Sequence, residues 1–237
     1  MESRGFEVML SWKDKIGEDF RYGLTFTLAD SRQKILKYPN PSKSLGDKRD
    51  NWYEGRYDGD IWGYTTKGIA KTQAEMDAHL AKVNQSQLGS NWSAGDIMYE
   101  DLNGDGKISN GKNTVDDSGD LSIIGNKTPR YNYGITLDAS YKGFDFRLFL
   151  QGVGKRDFAT SGSYFWGASG GKWQTVVFKE HLDYFRDDPN HPLGQNLDSY
   201  YPRPDWGSGR NRHTQTRYLQ NAAYLRVKNI QLGYTLP

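Results

Sequence analysis

The chain alternates apolar and polar residues in separate stretches, and the longest regular one, Arg130 to Gln151, reads as two strands joined by a turn. On its first arm Tyr131, Tyr133, Ile135, Leu137, Ala139 and Tyr141 share one side, while Asn132, Gly134, Thr136, Asp138 and Ser140 share the other. A period of two is the spacing of a β-strand, whose successive side chains point to opposite faces. The second arm sets Phe144, Phe146, Leu148 and Leu150 against Asp145, Arg147 and Gln151, with Phe149 out of pattern. Lys142-Gly143 supplies the turn, because glycine reaches positive φ cheaply and a two-residue link fixes the register. Each arm matches the roughly 9 to 11 residues that a tilted strand needs to cross a bilayer.

The same alternation recurs near both ends. Phe6, Val8, Leu10 and Trp12 share a face over residues 5–13, and Phe20, Tyr22, Leu24, Phe26 and Leu28 share one over 19–29. The link between them, Asp14 to Glu18, is short, so the two pair antiparallel. A last strand over 222–236 alternates in its later half, with Ile230, Leu232, Tyr234 and Leu236 against Asn229, Gln231, Gly233 and Thr235. Strands near 130–141 and 143–152 complete the set. Between them the periodicity dissolves over about 30–129 and again over about 154–220, both rich in Gly, Asn, Asp, Trp and Tyr. Inside the first long segment Thr72 to Val83 predicts a short helix, with Thr72 and Glu75 as a capping box and Met76, Leu80 and Val83 as its stripe. Trp173 to Phe185 predicts another in the second. A structureless loop of this length is improbable, so the first segment is functional or holds further strands.

Alternation does not name the partner of the apolar face, and on pattern alone a soluble β-sandwich stands slightly ahead of a membrane barrel. Two observations shift the balance. Tyr141 and Phe144 flank the tight turn while Tyr131 and Tyr133 mark the far end, the placement of interfacial girdles. Connections also run short, very long, short, very long, as in outer-membrane barrels.

Composition narrows the classes further. The 237 residues have a mean hydropathy of −0.84 and no run of about 18 apolar residues, which excludes helical membrane spans but not strands. A net charge of +2 argues for neither nucleic acid nor a strongly acidic substrate. With no cysteine, neither a disulfide framework nor a thiolate metal site is available. Met1 is followed by ESRGFEV rather than a basic segment and an apolar core, so no signal peptide is read here. For strands of exported type this predicts either a cytoplasmic chain or a piece of something longer.

Five blocks resemble the SusC/RagA-type TonB-linked outer-membrane transporters, a family that takes up glycans and other nutrients. They are GDIWGYTTKGI (Gly59 to Ile69), GDIMYEDLNGDGKI (Gly95 to Ile108), IIGNKTPRYNYGI (Ile123 to Ile135), YKGFDFRLFLQGVGKRD (Tyr141 to Asp157) and TQTRYLQNAAYLRVKNIQLGYTLP (Thr214 to Pro237). They keep the order of the family's late barrel and span most of the chain. The resemblance implies an all-β fold, a transmembrane barrel of roughly 22 antiparallel strands with an internal plug. It further implies a SusD-like surface lipoprotein, TonB as the energy source, and the outer membrane of a Gram-negative bacterium. The sequence departs by omission: no plug, no TonB box and about five recognisable strands. Residues 1–237 are therefore expected to be one part of a C-terminal barrel, with long extracellular loops and the rest of the barrel, its plug and lipid as partners.

Candidate chemistry is sparse. Asp101, Asn103, Asp105, Lys107 (through its carbonyl) and Ser109, with Gly106, match the first nine positions of a calcium loop. Position twelve is Lys112 where a bidentate acid belongs, and Asp116, Asp117 or Asp120 would have to loop back. The plain alternative is an Asx-rich turn. Trp52, Tyr57, Trp62, Trp166 and Trp206 fall in the loops as a candidate substrate or partner surface, or as packing that keeps long loops folded. Arg203, Arg210, Arg212 and Arg217 lie among aromatics, yet balanced charge argues against nucleic acid. No catalytic constellation is found: adjacent carboxylates on strands face apart, and His79, His181, His191 and His213 lack metal spacing. The sequence therefore predicts a nutrient importer, with glycan as the expected cargo. A secreted calcium-dependent carbohydrate-binding β-sandwich is the competing reading, and a glycoside hydrolase a distant third.

Overall fold

The structure, a computed structural model, describes residues 1–167 and 176–236. In chain order the elements are β1 (Glu2–Ile16), β2 (Phe20–Lys34), β3 (Asp60–Tyr64), β4 (Thr66–Ile69), α1 (Gln73–Leu80), β5 (Ile97–Tyr99), β6 (Leu121–Asn126), β7 (Arg130–Tyr141), β8 (Phe144–Lys155), β9 (Asp157–Ala159), α2 (Ser163–Trp166), β10 (Leu219–Asn221) and β11 (Tyr224–Tyr234). The five long strands form one antiparallel sheet in the order β1-β2-β7-β8-β11. Lys142 and Gly143 close the central hairpin with φ of 45° and 86°, the positive pair that a two-residue turn matching strand twist requires.

Register carries the apolar face unbroken across the sheet. Trp12, Leu24, Leu137, Leu148 and Ile230 stand in one row, and Leu10, Phe26, Ile135, Leu150 and Val227 in the next. At the short-turn end the row ends in rings, with Phe20 and Tyr141 at 6.4 Å and Phe144 and Tyr234 at 4.5 Å. These side chains are not covered: Leu10 is 62% exposed, Ile230 63% and Leu232 76%. A sandwich would bury this face against a second sheet about 10 Å away, so the sandwich expectation is corrected. An apolar band bordered by aromatics is the outer surface of a barrel wall.

The opposite face is polar and lightly tied, as in Ser11 Oγ to Thr25 Oγ1 at 3.0 Å and Arg147 Nε donating to Asp138 at 2.6 Å. Phe149, out of pattern in the sequence, lies on this face across Gly134, where a Cβ would come within 3.1 Å of its ring. A bulge between Val227 and Asn229 explains why the last strand alternates only in its later half.

The hydrophobic core lies beyond the sheet, in the long loops. Tyr64, Ile69, Val83, Leu88, Ile97, Tyr99, Ile108 and Leu121 from the first connection pack with Phe185 and Tyr218 from the second. The two loops therefore fold together as one cap on the long-loop end. The first does hold further strands: β3 pairs with β6 and β4 with β5, while β9 and β10 prolong β8 and β11 into the cap. Helix α1 is shorter than the predicted 72–83. Thr72 caps it by accepting the Glu75 amide, and Glu75 returns to the Lys71 amide instead of that of Thr72. The helix predicted over 173–185 falls partly outside the described residues. Its described part holds only a 3₁₀ turn, Lys179–Leu182, because Phe185 and Tyr201 spend their amides on a bridge between segments (Phe185 N to Tyr201 O, Tyr201 N to Asp183 O).

Candidate functional site

The sequence blocks are the points where the cap is fastened. At the rim, Gly59 has φ of 84° and a Cβ there would sit 2.3 Å from Thr128 Oγ1. Only glycine fits that approach. The neighbouring Asp60 is buried and accepts from Tyr57 N at 3.0 Å and Asn126 Nδ2 at 2.9 Å, while Asn126 and Thr128 both donate to Asp58 O. Arg130 pairs bidentately with Asp30 of β2, tying the start of β7 to the same rim. Residues some seventy positions apart thus meet in one knot.

A second knot joins the two long loops. Gly95, also at φ 84°, leaves room for Phe185, whose Cδ1 would lie 2.3 Å from a Cβ. Asp96 is fully buried and accepts Arg203 Nε and Nη2, both at 2.9 Å, Asn211 Nδ2 at 2.8 Å and Ser93 N at 2.9 Å. Arg210 approaches the same carboxylate at 3.8 Å, pairs with Asp205 and donates to the Ser90 and Asn91 carbonyls. Beside it, buried Gln85 accepts the Tyr99 amide and donates to Ile97 O, and its Oε1 faces His79 Nε2 at 3.1 Å. Burial lowers His79, and likewise His213, whose Nε2 lies 3.0 Å from Leu88 O. Burial pushes Tyr64 up to about 12. None of Asp96, Asn211 and Gln85 stood out in the sequence, because Gln85 and Asn211 lie in polar stretches and the partners of Asp96 lie more than a hundred positions away.

Arginines read as a basic cluster are therefore structural. Arg203 and Arg210 hold Asp96, and Arg217 donates to the Ser199 and Tyr200 carbonyls. Next to this knot opens a cavity of about 240 Å³, lined by Trp166, Tyr184, Tyr201, Trp206, His181 and Arg203 among others. Trp166 packs edge-on to Tyr218 at 4.8 Å, whereas Trp206 is half exposed at the mouth. The remaining loop aromatics lie elsewhere. Trp62 packs on the cap core, Tyr57 lies beneath Arg32, and Trp52 is exposed against Tyr38. Only Trp166 and Trp206 of the five line this cavity.

The loop from Asp101 to Ser109 is closed by its own amides. Asp101 accepts from Gly104 N and Gly106 N, Asn103 from Asp105 N, and Asp105 from Lys107 N. Asp120 does loop back, but its two oxygens accept the Leu102 and Ser109 amides at 2.8 and 2.7 Å. Desolvation raises Asp120; Asp101 is desolvated too, yet the Gly106, Gly104 and Asp105 amides hold its carboxyl below the usual range. Lys112, at the twelfth position, sits 3.9 Å from Asp117. Among the described residues no group of three or more His, Cys, Asp or Glu is placed to hold a metal ion.

No family model matches the chain. Among curated proteins it is 25% identical over 250 residues to TonB-dependent receptor P3 and 24% over 247 residues to TonB-dependent receptor P26, both of Formosa agariphila. Each alignment covers 100% of this chain and 22% of the relative, so the chain spans about a fifth of their length. Among solved structures the RagAB peptide transporter superposes with a TM-score of 0.64 at 21% identity, over 99% of this chain and 23% of that one. The fold is that of a SusC/RagA-type TonB-dependent receptor barrel. The five-stranded sheet is open, with β1 and β11 at its edges and one partner each. In a TonB-dependent receptor barrel the uncovered apolar face meets lipid, and the long-loop end faces outward.

Proposed function

We propose that this chain forms part of the wall and outward cap of an outer-membrane barrel that imports a nutrient. The observation that carries the reading is the coincidence of two findings. Alignments to TonB-dependent receptors run the length of the chain, and the register puts one continuous apolar band on one side of the sheet. A plug, TonB and a SusD-like lipoprotein are the partners such a barrel works with, in the outer membrane of a Gram-negative bacterium. Residues 1–237 belong to a single barrel domain in this reading.

Cargo would be caught by the cap. The cavity beside Trp206 and Trp166 combines the ring faces of these residues and of Tyr184 and Tyr201 with the guanidinium of Arg203, groups that stack on sugar rings and donate to hydroxyls. We therefore assign glycan as the cargo class. Trp52, Tyr57 and Trp62, lying apart from the cavity, suit contact with a partner and packing more than capture. The test is binding to the full-length barrel containing this segment, measured with a panel of oligosaccharides and a panel of peptides. An oligosaccharide that binds the intact barrel, and about tenfold or more weaker in Trp206→Ala, supports glycan, since stacking on one ring contributes roughly 1.5 kcal/mol. Selective binding of peptides would overturn the cargo class while leaving import in place.

A further inference from the structure

The strongest unassigned feature is a basic cavity on the outward face, directly above the apolar band. Even-numbered residues of β1 and β2 point away from the lumen, and beyond Phe6 and Leu28 that face carries Arg4, Arg32 and Lys34. The ten steps from Ile16 to Phe6 cover about 33 Å of strand and, at a tilt of about 40°, roughly 25 Å of height, the height of an apolar band in such barrels. Arg4 and Arg32 come one row further, at the level of the headgroups.

The charges there, which include Glu2, Asp30 and Arg130 in the same wall, are only partly matched by the protein itself. Arg4 stands directly opposite Arg32 in the ladder, and like charges in that position repel. Glu2 is taken by Arg4 at 2.8 Å and Asp30 by Arg130. Among the described residues Arg32 and Lys34 form no ion pair; both lie over the ring of Tyr57, at 3.7 and 5.6 Å from its centre. These groups line a cavity of about 480 Å³, whose remaining wall includes Phe6 and Leu36, each about half exposed. The site is thus cationic at the top and apolar below, on the side that faces lipid.

We propose that Arg4, Arg32 and Lys34 form a binding site for the phosphate-bearing headgroup of an outer-leaflet lipid, whose acyl chains run down over Phe6 and Val8. An anion between Arg4 and Arg32 relieves their repulsion, and the guanidiniums suit phosphate oxygens. The site does not depend on which nutrient is carried.

The experiment measures binding of diphosphoryl lipid A to the delipidated full-length barrel containing this segment, in nonionic detergent. Binding should weaken about a hundredfold in Arg4→Gln/Arg32→Gln/Lys34→Gln, at roughly fivefold per charge, and be retained in Arg32→Lys. Lys13→Gln/Lys15→Gln/Arg21→Gln, which removes three charges near the other end of the same strands, should bind as before. Dephosphorylated lipid A and phosphatidylcholine should bind only weakly. Heat-modifiable migration on a gel confirms that each variant is folded; should the triple variant not fold, Arg32→Gln alone is expected to lose about fivefold. Equal binding by the Arg4, Arg32 and Lys34 variant, or equal loss in the control variant, overturns the site. So does tight binding of inorganic phosphate alone, which would make it a receptor for free anion. Because the readout involves no uptake, failure of the import reading would show separately.

Discussion

Replacing Asp96 should loosen the cap without opening the barrel. The carboxylate is fully buried and accepts four hydrogen bonds, two of them from Arg203, one from Asn211 and one from the Ser93 amide. Asp96→Ala leaves Asn211 Nδ2 and the Ser93 amide without acceptors and removes the counter-charge of two guanidiniums. Breaking a buried ion pair from one side costs about 3–5 kcal/mol. Arg203 is 30% exposed and Arg210 keeps Asp205, so water and the second acid offset part of this, and the lower end, about 3 kcal/mol, applies. Asp96→Asn keeps the shape and one acceptor oxygen; it should cost about half as much, roughly 1.5 kcal/mol. Hydrogen exchange on the full-length barrel reads both. Amides of β5 and of residues 199–211 should exchange about a hundredfold faster in Asp96→Ala, while those of β7 and β8 keep their protection. If cap protection falls less than about fivefold, the two loops are held by apolar packing alone. The ion-pair knot would then be a consequence of the fold rather than a cause.

Three further outcomes follow from the geometry. Leu137→Arg, on the apolar face, should destabilise the barrel by about 2–4 kcal/mol in urea unfolding in bilayers, while Thr136→Arg, one residue away on the lumen side, should cost about 1 kcal/mol or less; equal costs would mean that the first face does not meet lipid. Desolvation lowers the pKa values of His79 and His213 in the fold, so the unfolded chain takes up protons first as pH drops. Cap stability should accordingly be constant above pH of about 6.5 and decline below it, and hydrogen exchange that is flat from pH 7 to 5 after correction for intrinsic rates would count against this. Because the amides of its own loop already satisfy Asp101 and Asp120, calcium at millimolar concentration should leave exchange of residues 101–120 unchanged; protection on addition and its loss with chelator would make the loop a metal site.

The sequence showed the wall and hid the cap for one physical reason. A wall strand has two uniform environments, lipid and lumen, so its side chains alternate and the period is visible without any neighbour. The hairpin of β7 and β8 was legible to its turn because Lys142-Gly143 and the register are local properties. Cap strands such as β5 are buried all round, Ile97, Met98 and Tyr99 alike, and show no period. They are held instead by polar residues from distant segments, and nothing local in Asp96 announces Arg203 or Asn211, more than a hundred positions away. The predicted helix over 173–185 failed in its described part for the same reason: a bridge from Phe185 to Tyr201 took the amide that a helix would have used. What the blocks did mark is where such knots form, since Gly59 and Gly95 are fixed by close approach of Thr128 and Phe185 and not by any property of their own neighbourhood. The cap is thus a folded part of the chain with its own core, built on strands whose apolar face stays uncovered. A substitution in its core should act on exchange in the cap before it acts on the sheet, and that order of effects distinguishes a folded cap from a set of independent loops.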